Sequence, residues 1–286
     1  SGACDENGNV TLGLGENKTC IITNDDQPGT LTVTKVVVND NGGTKTVVDF
    51  PLFVDSVGVT SGESNTVNAG SYVVSETGAT GYVATFTGDC DTEGALVVGL
   101  GESKTCTITN DDQPASLTVT KVVVNDDGGE LTVEDFPLFV DDQEVTSGKA
   151  NSFDAGSYTV SEENQSGYVA TFSGDCDGDG IVALAPGDNK SCTITNDDTS
   201  GAISGLKFED QNANGVRDEG EPALEGWTIY LDANDNDALD EGEVSTVTGE
   251  GGAYTFSDLS VGTYQVREVL KAGWMQTAPA GGKHTV

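Results

Sequence analysis

At 286 residues the chain carries 48 acidic against 12 basic side chains, and its net charge of −36 repels phosphate backbones and anionic membranes, excluding nucleic acid as a partner. Its 38 glycines and single methionine, with Thr and Val in short runs broken by Asn-Asp-Gly clusters, favour strands and turns over helices. One histidine, His284, and the lack of a Ser-His-Asp set, a phosphate loop or ~18 successive apolar residues argue against catalysis on an external substrate and against a direct membrane span.

In chain order, the first segment, 1–26, ends in CIITNDD, Cys20–Asp26. The same phrase returns as CTITNDD at Cys106–Asp112 and Cys192–Asp198, with the cysteines 86 residues apart. Segment 1–26 therefore matches only the tail of a repeating unit. Two origins are open for it: a window on a longer repeat protein, or tail strands donated to a neighbouring subunit, linking copies head to tail.

Two full units follow, 27–112 and 113–198, sharing LTVTKVVVND, DFPLFVD, VTSG, AGSY, GYVATF and GDCD without insertion. A self-match of that length marks duplicated domains. Six cysteines fall in three pairs, Cys4 with Cys20, Cys90 with Cys106 and Cys176 with Cys192, each 16 positions apart. Without a CxxC motif, that regularity predicts disulfides and an oxidising, extracellular compartment.

Side-chain alternation within each unit is unusual. In LTVTK, Leu31, Val33 and Lys35 share the apolar face. Tyr72, Val74 and Glu76 share another, and Cys106, Ile108 and Asn110 a third. The second unit repeats this with Lys121, Glu162 and Asn196. A buried ammonium or carboxylate costs several kcal/mol unless paired, so these groups are expected to meet. Desolvation favours the neutral forms of both an amine and a carboxylic acid. The amine can then attack the asparagine carboxamide while the acid relays protons, expelling ammonia and leaving an isopeptide bond. The other outcome is a buried ion pair with an asparagine hydrogen bond.

The first-strand Lys, the Tyr-x-x-x-Glu segment followed by Gly-Tyr (Gly81-Tyr82, Gly167-Tyr168) and the last-strand Thr-x-Asn resemble the prealbumin-like, collagen-adhesin B-type (Cna B) domains of bacterial surface proteins and pili. The resemblance implies a β-sandwich and an autocatalytic Lys–Asn isopeptide bond with Glu as catalyst. The cysteines are a departure, since many bonded relatives lack them.

From Thr199 the pattern changes. Asp210–Glu221 has the spacing of a calcium loop, with Asp210, Asn212, Asn214, the Val216 carbonyl, Asp218 and Glu221 at positions 1, 3, 5, 7, 9 and 12. Asp232–Glu243 repeats it with Asp232, Asn234, Asn236, Ala238, Asp240 and Glu243, although Asp237 stands where glycine is usual. The flanks AISGLKFE and GWTIYL read as strands, so the loops sit in a β framework. GLKFEDQNANGVRDEGEPALEGWTIYL with GAYTFSDLSVGTYQVRE and GWMQT resembles the serine-aspartate repeat (Sdr) B-type domains of surface adhesins. That resemblance covers 201–286 and implies a calcium-stiffened sandwich; in that family a further strand usually follows, so 199–286 looks one strand short.

The expected architecture is all-β, a tandem array of immunoglobulin-like or prealbumin-like sandwiches. The expected role is a non-enzymatic extracellular filament or adhesin stalk on a bacterial cell surface, with calcium as cofactor. The alternative is a binding module for a host protein or glycan. Trp227 and Trp274 are expected to fill the core, and Asn9, Asn17, Asn164 and Asn189 open glycosylation sequons.

Overall fold

The computed structural model describes residues 2–279 and 281–286. It is all-β, and among the described residues it has short strands and three single-turn 3-10 helices, none of them long and apolar enough to cross a membrane. The chain packs as two compact units, 1–116 with 152–156 and 183–189, and 117–151 with 157–182 and 190–286. Each is described by itself.

In the first unit the strands are β1 (Gly29–Val38), β2 (Leu52–Val54), β3 (Val57–Val59), β4 (Ser64–Val67), β5 (Gly70–Glu76), β6 (Tyr82–Gly88), β7 (Ala95–Val98) and β8 (Ser103–Asp112). They form two sheets, β4-β1-β8-β6 and β3-β2-β5-β7. First and last strands lie parallel, Lys35 opposite Ile108 and Val37 opposite Asn110. The β-branched alternation of LTVTK suits a half-buried strand. Leu31 and Val33 are buried while Thr32 and Thr34 are half-buried. Leu31, Val33, Leu52, Val54, Val74, Leu96, Val98 and Ile108 make the core. Each such side chain removed from water is worth about 1.5–3 kcal/mol. Residues 2–26 hold turns and one isolated bridge, Gly2 to Cys20. Within this unit the Ala155 N–H donates to the Asn41 carbonyl at 2.8 Å. Beside it Gly42 has φ +80°, and a Cβ there would lie 2.4 Å from the Ala155 oxygen, so only glycine fits.

The second repeat places its strands at the same offsets: β9 (Ala115–Val124), β10 (Leu138–Val140), β11 (Gln143–Val145), β12 (Ala150–Phe153), β13 (Gly156–Glu162), β14 (Tyr168–Gly174), β15 (Ile181–Leu184) and β16 (Asn189–Asp198). In the second unit β10 pairs with β11 and β13, and β14 with β16, in the registers of their first-repeat counterparts.

The last part has β17 (Gly201–Leu206), β18 (Thr228–Leu231), β19 (Ser245–Val247), β20 (Ala253–Leu259), β21 (Gln265–Glu268) and β22 (His284–Thr285), in sheets β17-β20 and β19-β18-β21-β22. Ile229, Leu231, Phe256, Leu259 and Val266 form its core. Trp227 is buried, as expected, but Trp274 is not a core residue: it is 40% exposed and meets the Trp227 ring edge-on at 5.3 Å. The segment carrying it belongs to no strand, so no sheet covers its outer face.

Candidate functional site

The polar residues expected inside do meet. Parallel pairing of β1 with β8 puts Lys35 and Asn110 on the inner face of one sheet, and Glu76, opposite Leu52 on β2, reaches across from the other. Lys35 Nζ lies 2.8 Å from Glu76 Oε2, and their side chains are 0% and 5% exposed. In the second repeat Lys121 Nζ lies 2.6 Å from Glu162 Oε2, with exposures of 0% and 2%.

Each ammonium also sits over an aromatic ring, Phe50 at 4.7 Å and Phe136 at 4.4 Å. Burial lowers the pKa of both lysines, and the carboxylate partner only partly opposes it. Asn110 and Asn196 are each 1% exposed. The Asn110 Oδ1 has no hydrogen-bond partner, and Lys35 Nζ instead reaches the Ile108 carbonyl at 3.5 Å. In the other copy Lys121 Nζ contacts Asn196 Oδ1 directly. Beyond their ion pairs, both oxygens of Glu76 and of Glu162 lack a hydrogen bond. An amine, an acid and a carboxamide thus share a closed apolar cell, the arrangement an amide exchange needs.

All three disulfides are formed, with Cα separations of 5.3, 5.4 and 5.3 Å, and no cysteine is free among the described residues. Gly88 pairs with Cys106, so the Cys90 bridge pins the loop after β6 to β8.

Sequence reasoning assigned no role to the final aspartate of the repeated TNDD. Asp112 is 1% exposed, and its carboxylate accepts N–H bonds from Gly43 at 2.6 Å and Asn41 at 3.0 Å. Tyr82 completes the corner, donating its hydroxyl to Asn39 Oδ1 at 2.6 Å and accepting the Lys45 N–H at 3.2 Å. Asp198 and Tyr168 do the same for Gly129, Asp127, Asn125 and Leu131. Burial pushes both carboxyls up, but the converging N–H groups outweigh it and hold them below the ordinary carboxylate value. The closing phrase therefore also organises the loop after the first strand. Its recurrence at one offset from NDNGG and NDDGG was the available signal.

In residues 199–286 the loop side chains hydrogen-bond within their own loops. Asp210 accepts the N–H groups of Gly215 at 2.7 Å and Asn214 at 3.1 Å, and Glu221 those of Gln211 and Asp218, both at 2.9 Å. Asn212 and Asn214 each donate to Asp218 Oδ2 at 2.7 Å. The second loop repeats this with Asp232 accepting from Asp237 and Asn236, Glu243 from Ala233 and Asp240, and Asp240 Oδ2 from Asn234 and Asn236. Val216 and Ala238 close turns by donating their N–H to Asn214 and Asn236.

Each loop gathers three carboxylates and two carboxamides, a hard-oxygen set whose chemistry fits calcium. Asp237 takes φ +65°, the left-handed conformation held by Gly215 in the first loop, and its carboxylate meets Arg267. Arg267 also pairs with Asp232 at 2.5 Å and Asp235 at 2.7 Å. Lys283 pairs with Asp235 at 2.6 Å. Burial pushes Asp232 up, but the N–H groups of Asp237, Asn236 and Asp235 and the Arg267 charge hold it low.

The profile of the prealbumin-like fold domain matches residues 26–108 and 112–194, and that of the SdrD B-like domain matches 201–286. Serine-aspartate repeat-containing protein D of Staphylococcus aureus is 31% identical over 140 residues, 46% of this chain and 10% of that protein. The chain thus spans about a tenth of the length of that relative. Colossin-B of Dictyostelium discoideum is 40% identical over 67 residues, 22% of this chain and 2% of its own. Among solved structures, the Bacillus anthracis TIE protein aligns over 91% of this chain and 48% of its own at 18% identity, with a TM-score of 0.44.

Proposed function

The chain belongs to the prealbumin-like fold domain family, and from that premise we propose that it is a load-bearing, non-enzymatic part of an extracellular filament or adhesin stalk. Its place is the bacterial cell surface, where disulfides persist. The modules proposed are 27–112, 113–198 and 199–286, with 1–26 as a partial repeat of tail strands, either part of a longer array or donated to a neighbouring copy. Copies arranged end to end are the proposed partners.

The observation that carries this reading is the Lys–Glu–Asn cell, present twice and closed to solvent. We propose that Lys35 is joined to Asn110 and Lys121 to Asn196, with Glu76 and Glu162 as proton relays. A covalent tie between parallel first and last strands routes pulling force through the bond instead of the hydrogen-bonded ladder. Intact mass after reduction is expected to fall short of the sequence mass by two ammonia molecules. An unshifted mass removes the cross-links.

Calcium is the proposed stiffener of the last domain, held by Asp210, Asn212, Asn214, Asp218 and Glu221, and by Asp232, Asn234, Asn236, Asp240 and Glu243, with the Val216 and Ala238 carbonyls. The ion would supply positive charge that draws the loop carboxylates together. Ligand at a hundred times Kd adds about 2.7 kcal/mol per site. Chelation is therefore expected to lower the melting transition of 199–286 and to leave both repeats unmoved. A last domain indifferent to chelator rules out both loops.

A further inference from the structure

The two loops proposed for calcium differ at positions that supply no ligand. At the sixth position the first loop has Gly215, φ +77°, and the second Asp237, φ +65°. At the fourth the first has Ala213 and the second Asp235. In a loop of this spacing the ion is held from positions 1, 3, 5, 7, 9 and 12, so Asp235 and Asp237 are carboxylates that it does not require.

What they hold is a cation from another strand. Arg267 lies on β21 opposite Tyr230 of β18, and the Asp232 N–H donates to the Gln265 carbonyl at 2.9 Å, which fixes the mouth of the loop beside the arginine. Arg267 Nε lies 2.5 Å from Asp232 Oδ2 and Nη2 lies 2.7 Å from Asp235 Oδ1, with Asp237 on the same nitrogen. Lys283 Nζ brings a second charge to Asp235 Oδ1 at 2.6 Å and also meets Gln265 Oε1 at 2.7 Å. Among the described residues the other ion pair of 199–286 joins Lys207 to Glu268, and none reaches Asp210, Asp218 or Glu221. Arg217, inside the first loop, is exposed.

Asp232 is the ligand expected at the first position of its loop, and its side chain is 0% exposed. A buried carboxylate needs a counter-charge. Asp210 has none from this chain, whereas Asp232 has the guanidinium. We propose that Arg267 is a built-in counter-cation of the second loop, sharing the Asp232 carboxylate with calcium, so that this loop keeps its shape without the ion and binds it more weakly than the first loop does. That ranking rests on the calcium reading of both loops.

Two effects of the guanidinium oppose each other. It offsets the repulsion among Asp232, Asp235 and Asp237, whose oxygens lie within 4.8 Å of one another, and so supports the loop. It also repels a divalent ion brought to the same carboxylate. Repulsion decides the affinity, because the turn is held independently. Asp232 accepts the N–H groups of Asp237 and Asn236, and Glu243 those of Ala233 and Asp240. The same bonds shape the first loop without an arginine. With the guanidinium removed, three crowded carboxylates have still more to gain from calcium.

The test is calcium titration of the whole chain, freed of divalent ions, by isothermal calorimetry. Two classes of site are expected, the tighter lost in Asp210→Ala and the weaker in Asp232→Ala. Arg267→Gln is expected to tighten the weaker class at least about tenfold. Arg267→Lys, which keeps the charge, should stay close to the parent chain. Lys283→Gln, which takes a half-buried cation from Asp235, should tighten the same class by less, and it decides alone where Arg267→Gln does not fold. Unchanged or weaker binding at the second loop in these folded variants overturns the proposal, as do equal affinities at the two loops or loss of the tighter class in Asp232→Ala. Each of those results leaves calcium binding itself standing. No calcium bound by any form, the parent chain included, overturns the calcium reading and this ranking with it.

Discussion

Glu76→Ala is expected to destabilise the first repeat by about 3–5 kcal/mol, because it leaves the Lys35 ammonium buried without its partner. For a domain of that size each kcal/mol moves the transition by about 4–8 °C, so calorimetry should show its melting fall by at least about 12 °C. The variant should also retain its ammonia at Lys35 and Asn110, since the proton relay is gone. The Phe50 face offers the lysine only part of what the carboxylate supplied. Lys35→Met combined with Glu76→Leu should relieve the cost of the unpaired buried charge but fall short of the wild-type melting, because it also lacks the proposed Lys35–Asn110 bond. A shift below about 1 kcal/mol for the single variant would mean that the cell admits water or that the pair rearranges.

Removing a disulfide tests the second source of stability, and the three bridges should not respond alike. All close loops of the same 16-residue separation. In the chain-entropy account each is therefore worth about 3 kcal/mol. That value is realised only where the ring belongs to a folded sandwich. Cys106 is 0% exposed and packs in the core of the first repeat, so Cys90→Ala with Cys106→Ala is expected to cost about 3 kcal/mol or more, once lost packing is included. Cys4→Ala with Cys20→Ala, in a segment whose residues lie mostly at the surface, should leave every melting transition where it was. Equal shifts for the two pairs, followed by calorimetry, would show that segment 1–26 is built into a folded domain.

The reading of the repeats from sequence succeeded at particular positions for particular reasons. Lys35, Glu76 and Asn110 were legible because the period of two along a strand assigns each residue to a face, and a lysine in phase with Leu31 and Val33 has nowhere else to point. The hydrogen-bonded turns at Asp210 and Asp232 were legible because their residue spacing is that of a tight turn of a dozen residues, which is local. Features that depended on distant neighbours fared worse. Trp274 was expected in the core, yet the strand-free segment that carries it leaves it 40% exposed. The Asp112 corner went unread because its partners, Asn41 and Gly43, lie about 70 positions earlier.

Periodicity, duplication and cysteine spacing determined by themselves the all-β class, the repeated modules, the disulfide pairs and which polar side chains face inward, since each follows from local backbone geometry. Only the tertiary structure decided that the lysine and asparagine share a sheet with the glutamate opposite, that Asp112 and Asp198 tie down distant loops, and that Lys207 meets Glu268. Those pairings depend on which strands lie side by side and in which register, and that is settled by packing two sheets over one core, a condition that no short stretch of sequence contains.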